Sequence, residues 1–87
     1  MYYVYILQSE KTGRYYIGSS NNISRRLQEH NAGQTASLSY QRPLKVVFYQ
    51  GYDNMKIARG IERRLKKLKS RVIIEHIIRE GKIKLGP

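Results

Sequence analysis

The chain has no cysteine, only two prolines and only six acidic residues in its 87 positions. Without cysteine there is no disulfide framework, no thiolate metal site and no cysteine nucleophile, so the core must hold by packing alone, which a reducing cytoplasm permits. No apolar stretch reaches the ~18 residues that a membrane span requires, and a mean hydropathy of -0.62 agrees with a water-facing domain. The first residues read as a strand rather than as the charged, apolar, small-residue succession of a signal peptide. Also missing are a P-loop, a dinucleotide glycine fingerprint, a paired-histidine zinc helix and a calcium loop, which leaves the common cofactor chemistries without a carrier. The scarcity of acid has its own consequence. Set against 17 lysines and arginines it gives a net charge of +11, a field that favours a polyanionic partner.

What is present suits one small domain, since a chain of this length buries only ~60% of its unfolded surface. Tyr2 to Leu7 and Tyr15 to Gly18 are aromatic and β-branched, and the polar Glu10-Lys11-Thr12-Gly13 between them reads as a hairpin loop. Closing that loop between Ser9 and Arg14 sets Leu7 opposite Tyr16 and Tyr5 opposite Gly18, with Tyr3, Tyr5 and Tyr16 on one face. Asn21 or Asn22 caps a helix running to about Asn31, with Ile23 and Leu27 buried and Ala32-Gly33 as its exit. After the irregular stretch Gln34 to Pro43, a third strand begins at Leu44. Asp53 then caps a second helix, whose Ile57, Ile61, Leu65 and Leu68 form an apolar stripe. Ser70 caps a third, with Val72, Ile73, Ile77 and Ile78 as its face and Gly81 as its stop. The expected fold is α+β in the order β-β-α-β-α-α: a three-stranded antiparallel sheet flanked by helices, over residues 1–80, with residues 81–87 as a tail.

Five polar residues stand out by placement: Tyr5, Tyr16, Arg26, His30 and Glu62. Arg26 and His30, four apart, share a helix face beside the Ile23/Leu27 stripe. Glu62 borders the stripe of the second helix and is the only acid from Lys56 to Arg71, among eight bases. The pair Val4-Tyr5-Ile6 and Tyr16-Ile17-Gly18 resembles the double signature of the GIY-YIG nuclease domain. Arg26, His30 and the segment Ala58-Arg59-Gly60-Ile61-Glu62-Arg63-Arg64-Leu65 are similar to that family's further motifs, closest to its small stand-alone members. One departure is Tyr3, where the name motif has glycine, and it bears on packing more than on chemistry.

The resemblance implies an endonuclease that hydrolyses DNA phosphodiesters by water attack with one divalent metal, Mg²⁺ or Mn²⁺, and leaves a 5′-phosphate. It makes Tyr5 the base for the attacking water and Tyr16 its orienter, or the reverse. A tyrosine, with a usual pKa near ~10, needs a neighbouring cation or a metal-bound water for that work. Arg26, forked and permanently charged, suits the charge that builds on the phosphorus oxygens. His30 would share a proton with a tyrosine or touch the phosphate, and Glu62 would hold the metal, since Mg²⁺ accepts one carboxylate with waters and substrate oxygens. Gly18 would leave the space above the tyrosines open for a phosphate.

Plainer readings stand beside these. Most of the eight tyrosines supply packing or surface, with base stacking an option for Tyr40. Arg26 and His30 can solvate a helix edge, Glu62 can pair with Lys66, and His76 reads as structural or exposed. Arg59, Arg63, Arg64, Lys66 and Lys67 form a solvated face that doubles as an electrostatic hold on DNA. Ser19 to Asn22 offer caps or amides for a phosphate. Nothing resembles a module that reads base edges, so specificity should be low, directed to branched or damaged DNA as in DNA repair, or lent by a protein partner. The rivals are a non-catalytic nucleic-acid-binding module and an adaptor for an acidic protein.

Overall fold

A computed structural model describes residues 1–33 and 41–84. The stacking option for Tyr40, most of the irregular stretch before Pro43 and the end of the tail therefore lie outside the described residues. The order is β1 (Tyr2–Ser9), β2 (Tyr15–Ser20), α1 (Ile23–Asn31), β3 (Leu44–Tyr52), α2 (Met55–Leu68) and α3 (Arg71–Glu80). The strands form one antiparallel sheet in the order β2-β1-β3. This is the expected α+β arrangement. Among the described residues no helix is long and apolar enough to cross a membrane.

The hairpin register is the expected one, with Leu7 opposite Tyr16 and Tyr5 opposite Gly18, and the Ser9 amide donates to the Arg14 carbonyl across the loop at 2.9 Å. Because side chains alternate, β1 has two interiors to serve. Val4 and Ile6 join Phe48, Ala58, Ile61, Leu65, Ile77 and Ile83 on the face covered by α2 and α3, while Tyr5, Leu7 and Leu44 face α1 through Ile23 and Leu27. Burial on both faces explains why the middle of β1 is apolar without a polar alternation. A bulge in β3 shifts the register between Ile6 and Leu7, so that Phe48 opposes Ile6 while Val46 opposes Leu7. The carboxamide of Asn31 clips α1 to this sheet, donating to the Leu44 carbonyl at 3.0 Å and accepting from the Leu44 amide at 2.7 Å.

Several local expectations are corrected. Asn54, not Asp53, caps α2, its side chain accepting from the Ile57 amide; Asn22 and Ser70 cap α1 and α3 in the same way. Leu68 is 46% exposed, as the last residue of α2, which ends on Lys69 at a positive φ of 46°. In α3, Val72 is 75% exposed and Ile73 also faces solvent, while Ile74, Ile77 and Ile78 pack inward. Ile23 and Leu27 are half-buried, and the buried residue of α1 is His30. Beyond Gly81, which stops α3 at a φ of 80°, Ile83 returns to the core and is held by Gln50, which accepts from its amide at 2.8 Å.

Candidate active site

A cleft of about 470 Å³ opens around the edge strand β2, and all five residues singled out from the sequence line it. They reach it from opposite sides of the sheet. Tyr5 and Tyr16 project from β1 and β2 toward α1, whose Arg26 and His30 point back. Glu62 arrives from α2 on the other face and meets β2 through Ser19, which alternation turns away from Gly18 and toward α2. An edge strand is what allows this, since side chains from both layers can wrap a border that no further strand covers.

Tyr5 is 3% exposed, and its phenol lies directly over Gly18, where an added Cβ would come within 2.5 Å of the hydroxyl oxygen. The expected role of Gly18 is thus corrected: the room its missing side chain leaves is filled by the Tyr5 ring itself. Arg26 contacts that hydroxyl. The hydrogen bond to Tyr5 pushes the guanidinium above its ordinary value, partial burial opposes the rise, and Glu29 adds to it. Glu29 accepts from Arg26 Nη1 at 2.9 Å and also meets Arg25 Nε at 3.6 Å, so the arginine is aimed from below by an acid and from above by a phenol.

His30 is 5% exposed, and its Nδ1 has no hydrogen-bond partner among the described residues. Burial, reinforced by the charge of Arg26 and only partly countered by Glu29, pushes its pKa down, which keeps the imidazole neutral at pH 7. A neutral ring with one free nitrogen accepts or passes a proton; it does not act as a fixed positive charge. Glu62 has 18% of its side chain exposed and both oxygens engaged: Ser19 Oγ donates to Oε1 at 2.5 Å, and Lys66 Nζ meets Oε2 at 2.6 Å. The pairing with Lys66 expected as the plain reading is therefore real, yet it takes place inside the cleft. Among the described residues no group of three acid or histidine side chains converges as a metal cage.

Ser19 and Lys66 were not assigned to the site from the sequence. Lys66 had the signal, four residues after Glu62 on one face, whereas the serine's contact needs α2 to be placed on the correct side of the sheet first. The remaining expectations place elsewhere. His76 is exposed and lies 3.6 Å from Glu80. Of the Ser19 to Asn22 segment, Asn22 serves as a cap, and Ser20 Oγ exchanges hydrogen bonds with the Asn22 backbone.

Comparisons with known proteins place the chain in a family. The family model of the GIY-YIG catalytic domain matches residues 1–75. A UPF0213 protein of Streptococcus pneumoniae serotype 4 is 37% identical over 68 residues, which is 77% of this chain and 68% of the relative. A UPF0213 protein of Clostridium perfringens strain 13 is 38% identical over 69 residues, 78% of this chain and 73% of the relative. The solution NMR structure of a UPF0213 protein from Bacillus halodurans superposes with a TM-score of 0.56 at 28% identity, covering 93% of this chain and 87% of that one.

Proposed function

Since the chain belongs to the GIY-YIG catalytic domain family, we propose that it is an endonuclease that hydrolyses DNA phosphodiesters by water attack with the help of one divalent cation, Mg²⁺ or Mn²⁺. The observation that carries this reading is the convergence of Tyr5, Tyr16, Arg26, His30 and Glu62 on one cleft from both layers of the sheet. A solvated helix edge does not account for His30, which is buried.

The residues fit the cation. Glu62 already holds a positive group at Oε2, the ammonium of Lys66, so the position favours positive charge. A single carboxylate suffices for an ion that keeps several waters and takes substrate oxygens as its other ligands. When bound, the ion would polarise the phosphoryl group and make a coordinated water more acidic. The rest belongs to the chain. Tyr5, having passed its own hydroxyl proton to His30, takes the proton of the attacking water beside the charge of Arg26, and Tyr16 orients the water or a phosphate oxygen beside it. Arg26 also faces the charge that builds on the phosphoryl oxygens. His30, neutral and with a free nitrogen, accepts that phenol proton, and the departing 3′ oxygen takes a proton from solvent water as its bond to phosphorus breaks. Nothing in the sequence resembles a module that reads base edges, so selection rests on DNA shape, a branch or a lesion, or on a protein partner.

The test is cleavage of single-stranded, duplex and branched DNA, with and without Mg²⁺ or Mn²⁺, beside Glu62→Ala and Tyr5→Phe. Metal-dependent cleavage, lowered on the order of 100-fold or more in both variants, is expected. Cleavage that survives Glu62→Ala would sink the assignment, and salt-sensitive binding without cleavage of any substrate would make the chain a binding module.

A further inference from the structure

Lys66 lies on α2 one turn beyond Glu62 and belongs to two hollows at once. It lines the cleft, and with Arg59, Glu62 and Arg63 it lines a second groove of about 240 Å³. These four residues fall at i, i+3, i+4 and i+7, so they form one stripe of α2 with a single acid among three bases. Its ammonium meets Glu62 Oε2 at 2.6 Å, while Ser19 occupies Oε1, so the carboxylate has no oxygen left without a partner. The Lys66 side chain is 56% exposed and long enough to turn outward toward the arginines.

Resting on the reading of Glu62 as metal ligand, we propose that Lys66 is a built-in competitor for the divalent cation, released by the phosphate backbone of the nucleic acid. An ammonium on Oε2 and a divalent ion at the same carboxylate exclude each other by charge and by space. A phosphate entering the groove beside Arg59 and Arg63 offers Lys66 an alternative anion, and Glu62 is then free for the ion. Metal and nucleic acid consequently bind with positive coupling, and that coupling is reciprocal: whatever factor the strand adds to metal affinity, the metal adds to strand affinity. The protein alone holds its metal weakly and becomes loaded where a phosphodiester is present.

The test reads metal binding rather than turnover. Mn²⁺ affinity is measured by electron paramagnetic resonance in a Tyr5→Phe background, which slows DNA cleavage, with and without a short oligothymidylate, for the parent, Lys66→Gln and Glu62→Gln. Circular dichroism checks that each variant is folded. Lys66→Gln should bind Mn²⁺ about threefold more tightly than the parent in the absence of DNA, the scale of losing one exposed ion pair. Oligothymidylate should tighten Mn²⁺ binding in the parent and do so much less in Lys66→Gln. Equal or weaker Mn²⁺ binding by Lys66→Gln, with binding lost in Glu62→Gln, would overturn the competitor role and leave Glu62 as the ligand. Affinity unchanged by Glu62→Gln, or no binding by any protein in either condition, would overturn the metal site itself.

Discussion

Gly18 and Tyr5 act as one unit, because the phenol occupies the volume a side chain at position 18 would need. Gly18→Ala should therefore displace the Tyr5 ring and pull its hydroxyl off Arg26, costing about 1–3 kcal/mol in stability, the range for overpacking a buried site. It should also lower cleavage at least as far as Tyr5→Phe does. Urea unfolding and initial rates measure the two losses; full activity in Gly18→Ala would mean that the phenol has another working position. His30 makes a pH prediction. Its native pKa is depressed by burial and by Arg26, while the unfolded chain titrates near ~6.5. Below that value the unfolded state binds a proton that the native state refuses, so this contribution to stability is complete above pH ~6.5 and is lost as the pH falls, by at most ~1.4 kcal/mol per pH unit. Urea midpoints between pH 7.5 and 5.5 should fall in the parent and flatten in His30→Leu. An equal slope in both would assign the pH dependence to other groups.

At the scale of elements, what could be read from the sequence followed from how each periodicity is fixed. The β1–β2 register was legible because a four-residue loop and strict alternation leave few pairings, and the same alternation put Tyr5 and Tyr16 on one face. Glu62 was legible as a border residue since the α2 stripe around Ile57, Ile61 and Leu65 is well defined. The bulge in β3 was not, as an extra residue in Val46-Val47-Phe48 leaves no mark in a run that is apolar throughout. Helix α3 went wrong for a related reason: Val72, Ile73, Ile74, Ile77 and Ile78 are apolar on more than one side, so spacing alone did not say which side meets the sheet. Packing settles it, with Ile74, Ile77 and Ile78 turned to the core. Ile77→Ala, which empties a core position 5% exposed, should cost about 2–5 kcal/mol. Val72→Ala should stay within about 0.5 kcal/mol. Denaturant unfolding separates them, and similar losses in both would mean that the outer face of α3 is covered in solution.

Across the whole molecule the charge of +11 is arranged rather than spread. Arg25 and Arg26 are tied to Glu29, and Arg71 to Glu75, whereas Arg59 and Arg63 make no ion pair among the described residues and flank the groove that continues from the cleft past Glu62. Lys82 and Lys84 border a different hollow with Leu65, Ile73 and Ile77. A field that only raised the local concentration of DNA would weigh every lysine and arginine alike. If the strand instead follows the α2 stripe, the counterions released come from there, and each phosphate neutralised adds about 0.7–0.9 to the slope of log affinity against log salt. Arg59→Gln with Arg63→Gln should thus lower that slope by about 1.4–1.8 units, and Lys82→Gln with Lys84→Gln, the same change in net charge, by much less. Binding isotherms at several salt concentrations with Mg²⁺ omitted measure it. Equal slopes in the two double variants would mean that net charge, and not the stripe beside Glu62, holds the nucleic acid.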